Sequence, residues 1–93
     1  MYLNITIDEL LKKNSGTIID IRQSSKYKIG HIKNAKNISK NELMFNTENY
    51  LNKLNTYYIY CSKGMQSKSL CSYLNKLGYK VYNLLGGYES YKK

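Results

Sequence analysis

Residues 57–78, YYIYCSKGMQSKSLCSYLNKLG, join the pattern of a β-strand to the pattern of an α-helix. The run Tyr58–Tyr60 is aromatic and β-branched, which is typical of strands. Residues 67–77 carry leucines at positions 70, 74 and 77, the spacing of one helix face, and therefore predict a helix. The loop between them, Cys61–Gln66, places a cysteine at the C-terminal end of a strand and close to a helix N-terminus.

A cysteine in this position is expected to be acidic and reactive. The first N–H groups of a helix have no partners within it, and the helix dipole adds partial positive charge there. A turn with a glycine such as Gly64 can aim further N–H groups inward as an anion nest. Such surroundings lower a thiol pKa from about 8.5 to roughly 3.5–7.5. Lys63 and Lys68 add positive charge nearby, so we predict Cys61 as a nucleophile.

The cysteine loop allows three interpretations. Cys61 could be a buried cysteine that packs as a small hydrophobic residue. It could belong to a phosphate-binding loop of a cysteine phosphatase, which needs an arginine fork to hold phosphoryl oxygens. The loop ends at Gln66 and Ser67, however, and Arg22 is the only arginine of the sequence. Sulfur transfer needs N–H donors around the sulfur and no arginine, so it fits this loop best.

Two segments resemble the rhodanese-homology family. Residues 60–67, YCSKGMQS, and residues 69–91, SLCSYLNKLGYKVYNLLGGYESY, resemble the active-site half of that family. Residues 18–39, IIDIRQSSKYKIGHIKNAKNIS, resemble its first half, which usually contains D-x-R, an acidic-aromatic pair and G-H-I-x-x-A-x-x-I. The resemblance implies one domain over residues 1–93. It also implies a rhodanese-like three-layer α/β fold, with a central, mostly parallel five-stranded sheet, helices on both faces and the cysteine loop at the centre of the carboxyl edge.

The order of the elements supports the same architecture without the resemblance, because alternating strands and helices favour a parallel sheet covered on both faces. The predicted elements are an edge strand at Leu3–Ile5, a helix from Ile7 to near Asn14, a buried strand at Thr17–Ile21, a helical turn at Ser24–Ile29, a strand at Asn37–Ile38, a broken helical region around Leu43–Leu54, a last strand at Val81–Tyr82 and a terminal helix at Tyr88–Lys93. Capping boxes are predicted at Thr6–Glu9 and Ser39–Glu42.

The resemblance also implies roles for individual residues. Cys61 would carry the transferred sulfur as a persulfide, and the predicted substrate-binding residues are Ser62, Lys63, Gly64, Met65, Gln66, Ser67 and Arg22. Loop N–H groups would hold the outer sulfur, as an oxyanion hole holds oxygen. A loop of six residues goes with sulfur in this family, whereas a loop longer by one goes with phosphate or arsenate. Gln66 departs from the arginine that is often found at its position.

Arg22 is expected to be mainly structural, and a place at the rim of the anion pocket is the alternative. In the family it usually pairs with an acidic residue a few positions on, but Lys26 stands there in this sequence. Asp20 or backbone carbonyls are therefore the expected partners of Arg22. His31 is expected to pack and to bond a backbone group, and Cys71 is expected to lie in the core.

The expected function is transfer of sulfane sulfur from thiosulfate or a similar small anionic donor to a thiol or cyanide acceptor. A non-catalytic persulfide carrier or interaction domain is the alternative, and the missing loop arginine disfavours a phosphatase or arsenate reductase. The reaction needs no metal or organic cofactor, and one histidine with two cysteines gives no zinc spacing.

The composition limits the classes of partner that we expect this protein to bind. The formal net charge of +9 comes mostly from dispersed lysines, which attract small anions but form no stripe typical of nucleic-acid binding. No apolar run is long enough to cross a membrane, and the first nine residues do not resemble a signal peptide. A cytoplasmic monomer without nucleic-acid or membrane partners is expected, with a sulfur-relay protein as a possible partner.

Overall fold

The computed structural model describes residues 3–92, so Met1, Tyr2 and Lys93, including the predicted end of the terminal helix, lie outside the described residues. Five strands alternate with five helices. The strands are β1 (Leu3–Ile5), β2 (Thr17–Asp20), β3 (Lys36–Asn37), β4 (Thr56–Tyr60) and β5 (Lys80–Leu84). The helices are α1 (Ile7–Leu11), α2 (Ser24–Ile29), α3 (Lys40–Phe45), α4 (Met65–Lys76) and α5 (Gly87–Lys92), and a 3₁₀ turn spans Thr47–Asn49.

The sheet has the strand order β1-β5-β4-β2-β3, and every pairing is parallel. Strand β4 is therefore central, and its neighbours place Ile19 and Asn83 beside Ile59. Because the carboxyl ends of parallel strands meet at one edge, Cys61 lies at the middle of that edge. The predicted α/β fold, with a five-stranded sheet and the cysteine loop at its centre, is confirmed.

The side chains of β4 alternate between the two faces of the sheet and divide the core in two. Tyr57 and Ile59 point to one face, where Leu43 of α3 and Leu74 of α4 cover them. The other face receives Tyr58 and Tyr60 from β4, which pack with residues of α1, α2 and α5: Leu10, Tyr27, Tyr88 and Tyr91. These two cores give the predicted three layers. No helix within residues 3–92 is long and apolar enough to span a membrane.

The ends of several elements differ from the prediction. Helix α1 ends at Leu11 rather than near Asn14, because its last turn tightens into bonds three residues apart, such as that from the Lys12 N–H to the Glu9 carbonyl. Strand β3 is shifted one residue toward the N-terminus, although the N–H of Ile38 still bonds to the Asp20 carbonyl. Helix α4 begins at Met65, two residues before the predicted start.

The two predicted capping boxes have different outcomes. At α1 the box is complete, since Thr6 and Glu9 each accept the backbone N–H of the other. At α3 the Ser39 hydroxyl accepts the Glu42 N–H, but the Glu42 carboxylate does not reach back. It accepts hydrogen bonds from the Tyr50 hydroxyl and the Asn46 side chain instead, so only half of that predicted box forms.

We expect Leu74→Ala to reduce the free energy of unfolding by about 2–5 kcal/mol, because it leaves a cavity between α4 and the sheet. Leu74 is fully buried, whereas Leu54 is 97% exposed, so Leu54→Ala is the matched control and should cost little. Urea denaturation followed by circular dichroism measures both changes. Equal losses for the two variants would contradict the core described above.

Candidate active site

The Sγ atom of Cys61 accepts hydrogen bonds from N–H groups of its own loop. The Gly64 nitrogen lies 3.1 Å from Sγ and the Ser67 nitrogen 3.4 Å from it. Gly64 caps α4 in the left-handed conformation, with φ of 96°, so the N–H of Ser67 belongs to the unpaired first turn of the helix. The sulfur therefore occupies the anion-binding position at the start of α4 that the sequence predicts.

The carbonyl groups of the loop point away from the sulfur because the first turn of α5 binds them. The Cys61 carbonyl accepts the N–H of Tyr88 at 2.8 Å, and the Ser62 carbonyl accepts the N–H of Glu89 at 3.1 Å. Gly87 makes this approach possible, since a Cβ atom there would collide with the Cys61 carbonyl oxygen and lie 2.7 Å from the Ser62 carbonyl oxygen. Because α5 binds these carbonyl groups, the loop can direct its N–H groups toward the sulfur.

Two buried polar side chains, Ser67 and Asn83, form a hydrogen-bonded pair next to the Cys61 sulfur. The Ser67 hydroxyl lies 3.4 Å from Sγ and donates to the Asn83 side-chain oxygen at 2.5 Å. The Asn83 amide in turn donates to the Gly64 carbonyl at 3.4 Å. The Ser67 hydroxyl has one proton, so it donates one hydrogen bond at a time. It can donate to Asn83 when Cys61 is a thiol and to the sulfur when Cys61 is a thiolate.

The pKa of the Cys61 thiol reflects two opposing effects. Burial raises it, but hydrogen bonds from the Ser67 hydroxyl and from the N–H groups of Ser67, Gly64 and Gln66 outweigh burial, so the pKa lies below its ordinary value. Cys71 is fully buried in the core, and burial raises its pKa to about 12. Both cysteines are unpaired, and of the two only Cys61 is set up to react as a thiolate.

A cavity of about 410 Å³ opens above Cys61. Besides Cys61, five of the predicted substrate-binding residues line it, namely Arg22, Ser62, Lys63, Met65 and Gln66, together with Ile21, Gln23 and Lys26. Gly64 and Ser67, the two remaining predictions, contact the sulfur directly instead. Cys61 is only 4% exposed, yet it is one of the residues that line the cavity.

Arg22 is held in place by groups beside the cavity. Its guanidinium binds both carboxylate oxygens of Asp20, at 2.7–3.1 Å, and donates to the Gly30 carbonyl at 2.6 Å. It also stacks on the Tyr88 ring at 3.9 Å, and the Tyr60 hydroxyl donates to Asp20 at 2.6 Å. Asp20 and a backbone carbonyl thus replace the acidic partner that the sequence lacks. Contact of Arg22 with a substrate stays a prediction.

His31 and Asn83 show what the sequence could and could not indicate. Nδ1 of His31 lies 2.8 Å from the Tyr27 carbonyl oxygen and its ring stacks on Tyr27, in agreement with the predicted packing role. Asn83 was missed. Its only signal was a polar residue between the predicted strand Val81–Tyr82 and the apolar residue Leu84.

Comparisons with known proteins agree with this geometry. A family model described as "Rhodanese-like domain" matches residues 6–93. The thiosulfate sulfurtransferase GlpE of Coxiella burnetii is 36% identical over 85 residues, which cover 90% of this chain and 78% of that protein. A rhodanese-like domain protein from Staphylococcus aureus superposes with a TM-score of 0.84 at 32% identity, over 96% of this chain and 90% of that one. A rhodanese-related protein from Thermoplasma volcanium gives a TM-score of 0.90 at 26% identity, over 98% and 91% of the two chains.

We expect Ser67→Ala to raise the pKa of Cys61, because the thiolate loses the hydroxyl as a donor. The rate of alkylation by iodoacetamide, measured against pH, should reach half its maximum at a higher pH than in the wild type. Ser69→Ala is the control, because its hydroxyl lies on the same helix but bonds to the Gln66 carbonyl. An unchanged midpoint in Ser67→Ala would show that the backbone N–H groups alone set the pKa.

Gly87→Ala and Gly86→Ala form a matched pair for the contact between α5 and the loop. Both glycines have positive φ, 58° and 77°, so alanine adds backbone strain of roughly 1–2 kcal/mol at either position. Only at position 87 does the new Cβ meet the backbone of the cysteine loop; at position 86 it meets the Ser90 side chain. We expect Gly87→Ala to lower the free energy of unfolding, measured with urea, more than Gly86→Ala does. We also expect it to raise the pH at which the alkylation of Cys61 reaches half its maximal rate. Equal effects would refute the role given to this contact.

Proposed function

This chain belongs to the family of rhodanese-like domains, and we propose that it is a sulfurtransferase that uses a persulfide on Cys61. The donor is thiosulfate or a similar small anion, and the acceptor is a thiol or cyanide. The observation that carries the proposal is the convergence of the Gly64 and Ser67 N–H groups on the sulfur of Cys61, a residue that lines an open cavity. The similarity to a protein named as a thiosulfate sulfurtransferase supports the same reaction.

In the first half-reaction the Cys61 thiolate attacks the outer sulfur of thiosulfate. A bond forms between Sγ and that sulfur, the sulfur–sulfur bond of thiosulfate breaks, and sulfite leaves with the bonding electron pair. The lowered pKa of Cys61 supplies the thiolate. Lys63 lies in the cavity wall, where its charge can attract a dianionic donor.

In the second half-reaction the acceptor takes the outer sulfur and Cys61 returns to the thiolate. This is covalent catalysis in two steps, so ping-pong kinetics are expected. Between the steps the negative charge lies on the outer sulfur of the persulfide, and we propose that N–H groups of the same loop, two of which bind Sγ in the free enzyme, hold it. Both cysteines are unpaired, which suits a reducing compartment, and we propose the cytoplasm as the location.

The geometry favours sulfur over phosphate. The loop contains no arginine, and Arg22, which lines the cavity, already directs Nε and Nη2 to Asp20. A phosphoryl group would need a guanidinium fork that is committed elsewhere. The proposal includes no metal or organic cofactor. It treats the protein as a monomer without nucleic-acid partners, to which a sulfur-relay protein could present either the donor or the acceptor.

We expect Cys61→Ser to abolish both thiosulfate:cyanide turnover and the gain of one sulfur atom after incubation with thiosulfate. The second cysteine provides the control: Cys71→Ala should still gain one sulfur atom, and cyanide should remove it. Intact-protein mass spectrometry and a thiocyanate assay measure the two effects. Turnover that survives in Cys61→Ser would disprove the mechanism, and a persulfide in wild type without turnover would favour the persulfide carrier.

A further inference from the structure

A second cavity adjoins the one above Cys61. It measures about 370 Å³ and lies beside α2 and α5. Arg22, Lys26 and Ser62 border both cavities, so the second begins where the first ends. The mechanism proposed above gives this space no role. Its volume is within the roughly 300–1,000 Å³ of small-molecule sites.

The second cavity presents charges of both signs. Its lysines are Lys26 and Lys92, and its carboxylate is Glu89. Among residues 3–92 these three groups form no ion pair with one another, since the one recorded ion pair joins Arg22 to Asp20. The charge of Arg22 is thus already compensated by Asp20, whereas Lys26, Glu89 and Lys92 are exposed, and the Lys92 ammonium lies 5.9 Å from the centre of the Tyr88 ring that also lines the cavity.

We propose that the second cavity binds the body of the sulfur acceptor, and that this acceptor is a thiol of the amino-acid or small-peptide class. Its carboxylate is bound by Lys26 and Lys92, and its ammonium group by Glu89. Its sulfur reaches past Ser62 into the first cavity. Ile29, which is 90% exposed and lines the second cavity, offers an apolar contact for the carbon chain between these groups.

The transfer step rests on the function proposed above and needs no further reagent. The acceptor thiolate attacks the outer sulfur of the Cys61 persulfide, and a new sulfur–sulfur bond forms on the acceptor. The bond between the outer sulfur and Sγ breaks, and its electron pair returns to Cys61 as a thiolate. The acceptor leaves as a persulfide, so no net oxidation or reduction occurs.

A competing explanation is that the lysines only attract anions through the overall positive charge of +9. That effect would act on thiosulfate and on the acceptor alike. Binding in the second cavity instead predicts selectivity among acceptors, because Lys92 and Glu89 line that cavity and not the one above Cys61. Selectivity among thiols therefore separates the two explanations.

The test uses thiosulfate as donor, sulfite release as readout and three thiols as acceptors. Glutathione carries carboxylates and an ammonium group, N-acetylcysteine carries a carboxylate alone, and 2-mercaptoethanol carries neither. Lys92→Gln should raise KM for glutathione and N-acetylcysteine about two- to fivefold, the scale of an exposed ion pair, and raise KM for 2-mercaptoethanol less. Glu89→Gln should raise KM for glutathione alone.

Lys80→Gln is the matched control, because Lys80 is exposed at the start of β5, at the opposite edge of the sheet from Cys61. It removes the same charge and should leave the ratios among the three thiols at their wild-type values. If Lys92→Gln and Lys80→Gln change all KM values alike, including that for thiosulfate, the second cavity is not the acceptor site.

A binding measurement keeps this inference separate from the proposed function. If the wild type gains no sulfur from thiosulfate, the proposed function fails, but the cavity can still be tested with S-methylglutathione and Cys61→Ser protein. Amide NMR shifts should then concentrate at residues 26–30 and 88–92 and weaken in Lys92→Gln. Shifts that are absent, or that persist unchanged in Lys92→Gln, would overturn the inference.

Discussion

The site depends on the direction of a few peptide groups. A turn can present N–H groups to an anion only if its carbonyl groups find partners elsewhere, because a buried carbonyl without a hydrogen bond is costly. Here the N–H groups of Tyr88 and Glu89 bind the Cys61 and Ser62 carbonyls from outside the loop. Helix α5 therefore completes a loop that lies 27 positions before it, counted from Cys61 to Tyr88 or from Ser62 to Glu89, and Gly87 is the position where the two backbones come too close for a side chain.

A second constraint concerns Arg22, because Lys26 stands where the family resemblance implies an acidic partner for it. Asp20 is fully buried, and it accepts hydrogen bonds from Arg22 and from the Tyr60 hydroxyl. The Gly30 carbonyl and the Tyr88 ring complete the surroundings of the guanidinium. With the charge of Arg22 compensated inside the fold, no further carboxylate is needed near it. Lys26 instead lines both cavities.

The sequence predicted the parts of the structure that depend on neighbouring residues. The strand before Cys61, the helix after it and the capping by Thr6 follow from local patterns, and the structure confirms them. Features that depend on distant residues were missed. Asn83 bonds to Ser67 across sixteen positions, and Glu42 turns from its predicted cap toward Tyr50, eight positions on. The early start of α4 was also missed, because a sequence does not reveal that Gly64 adopts a positive φ and begins the helix.

The same arrangement explains why neutral donors suffice at this site. A thiolate or a persulfide has one negative charge concentrated at sulfur, and a few N–H groups with a helix N-terminus can balance it. A phosphoryl group spreads more charge over three oxygens and calls for a guanidinium. Under the proposed function, Lys63 of the loop and Lys26 in the cavity wall attract the anion, while the N–H groups bind the sulfur. In this proposal attraction and binding lie on different residues, so replacing a lysine weakens the attraction of the anion and leaves the N–H donors around Cys61 in place.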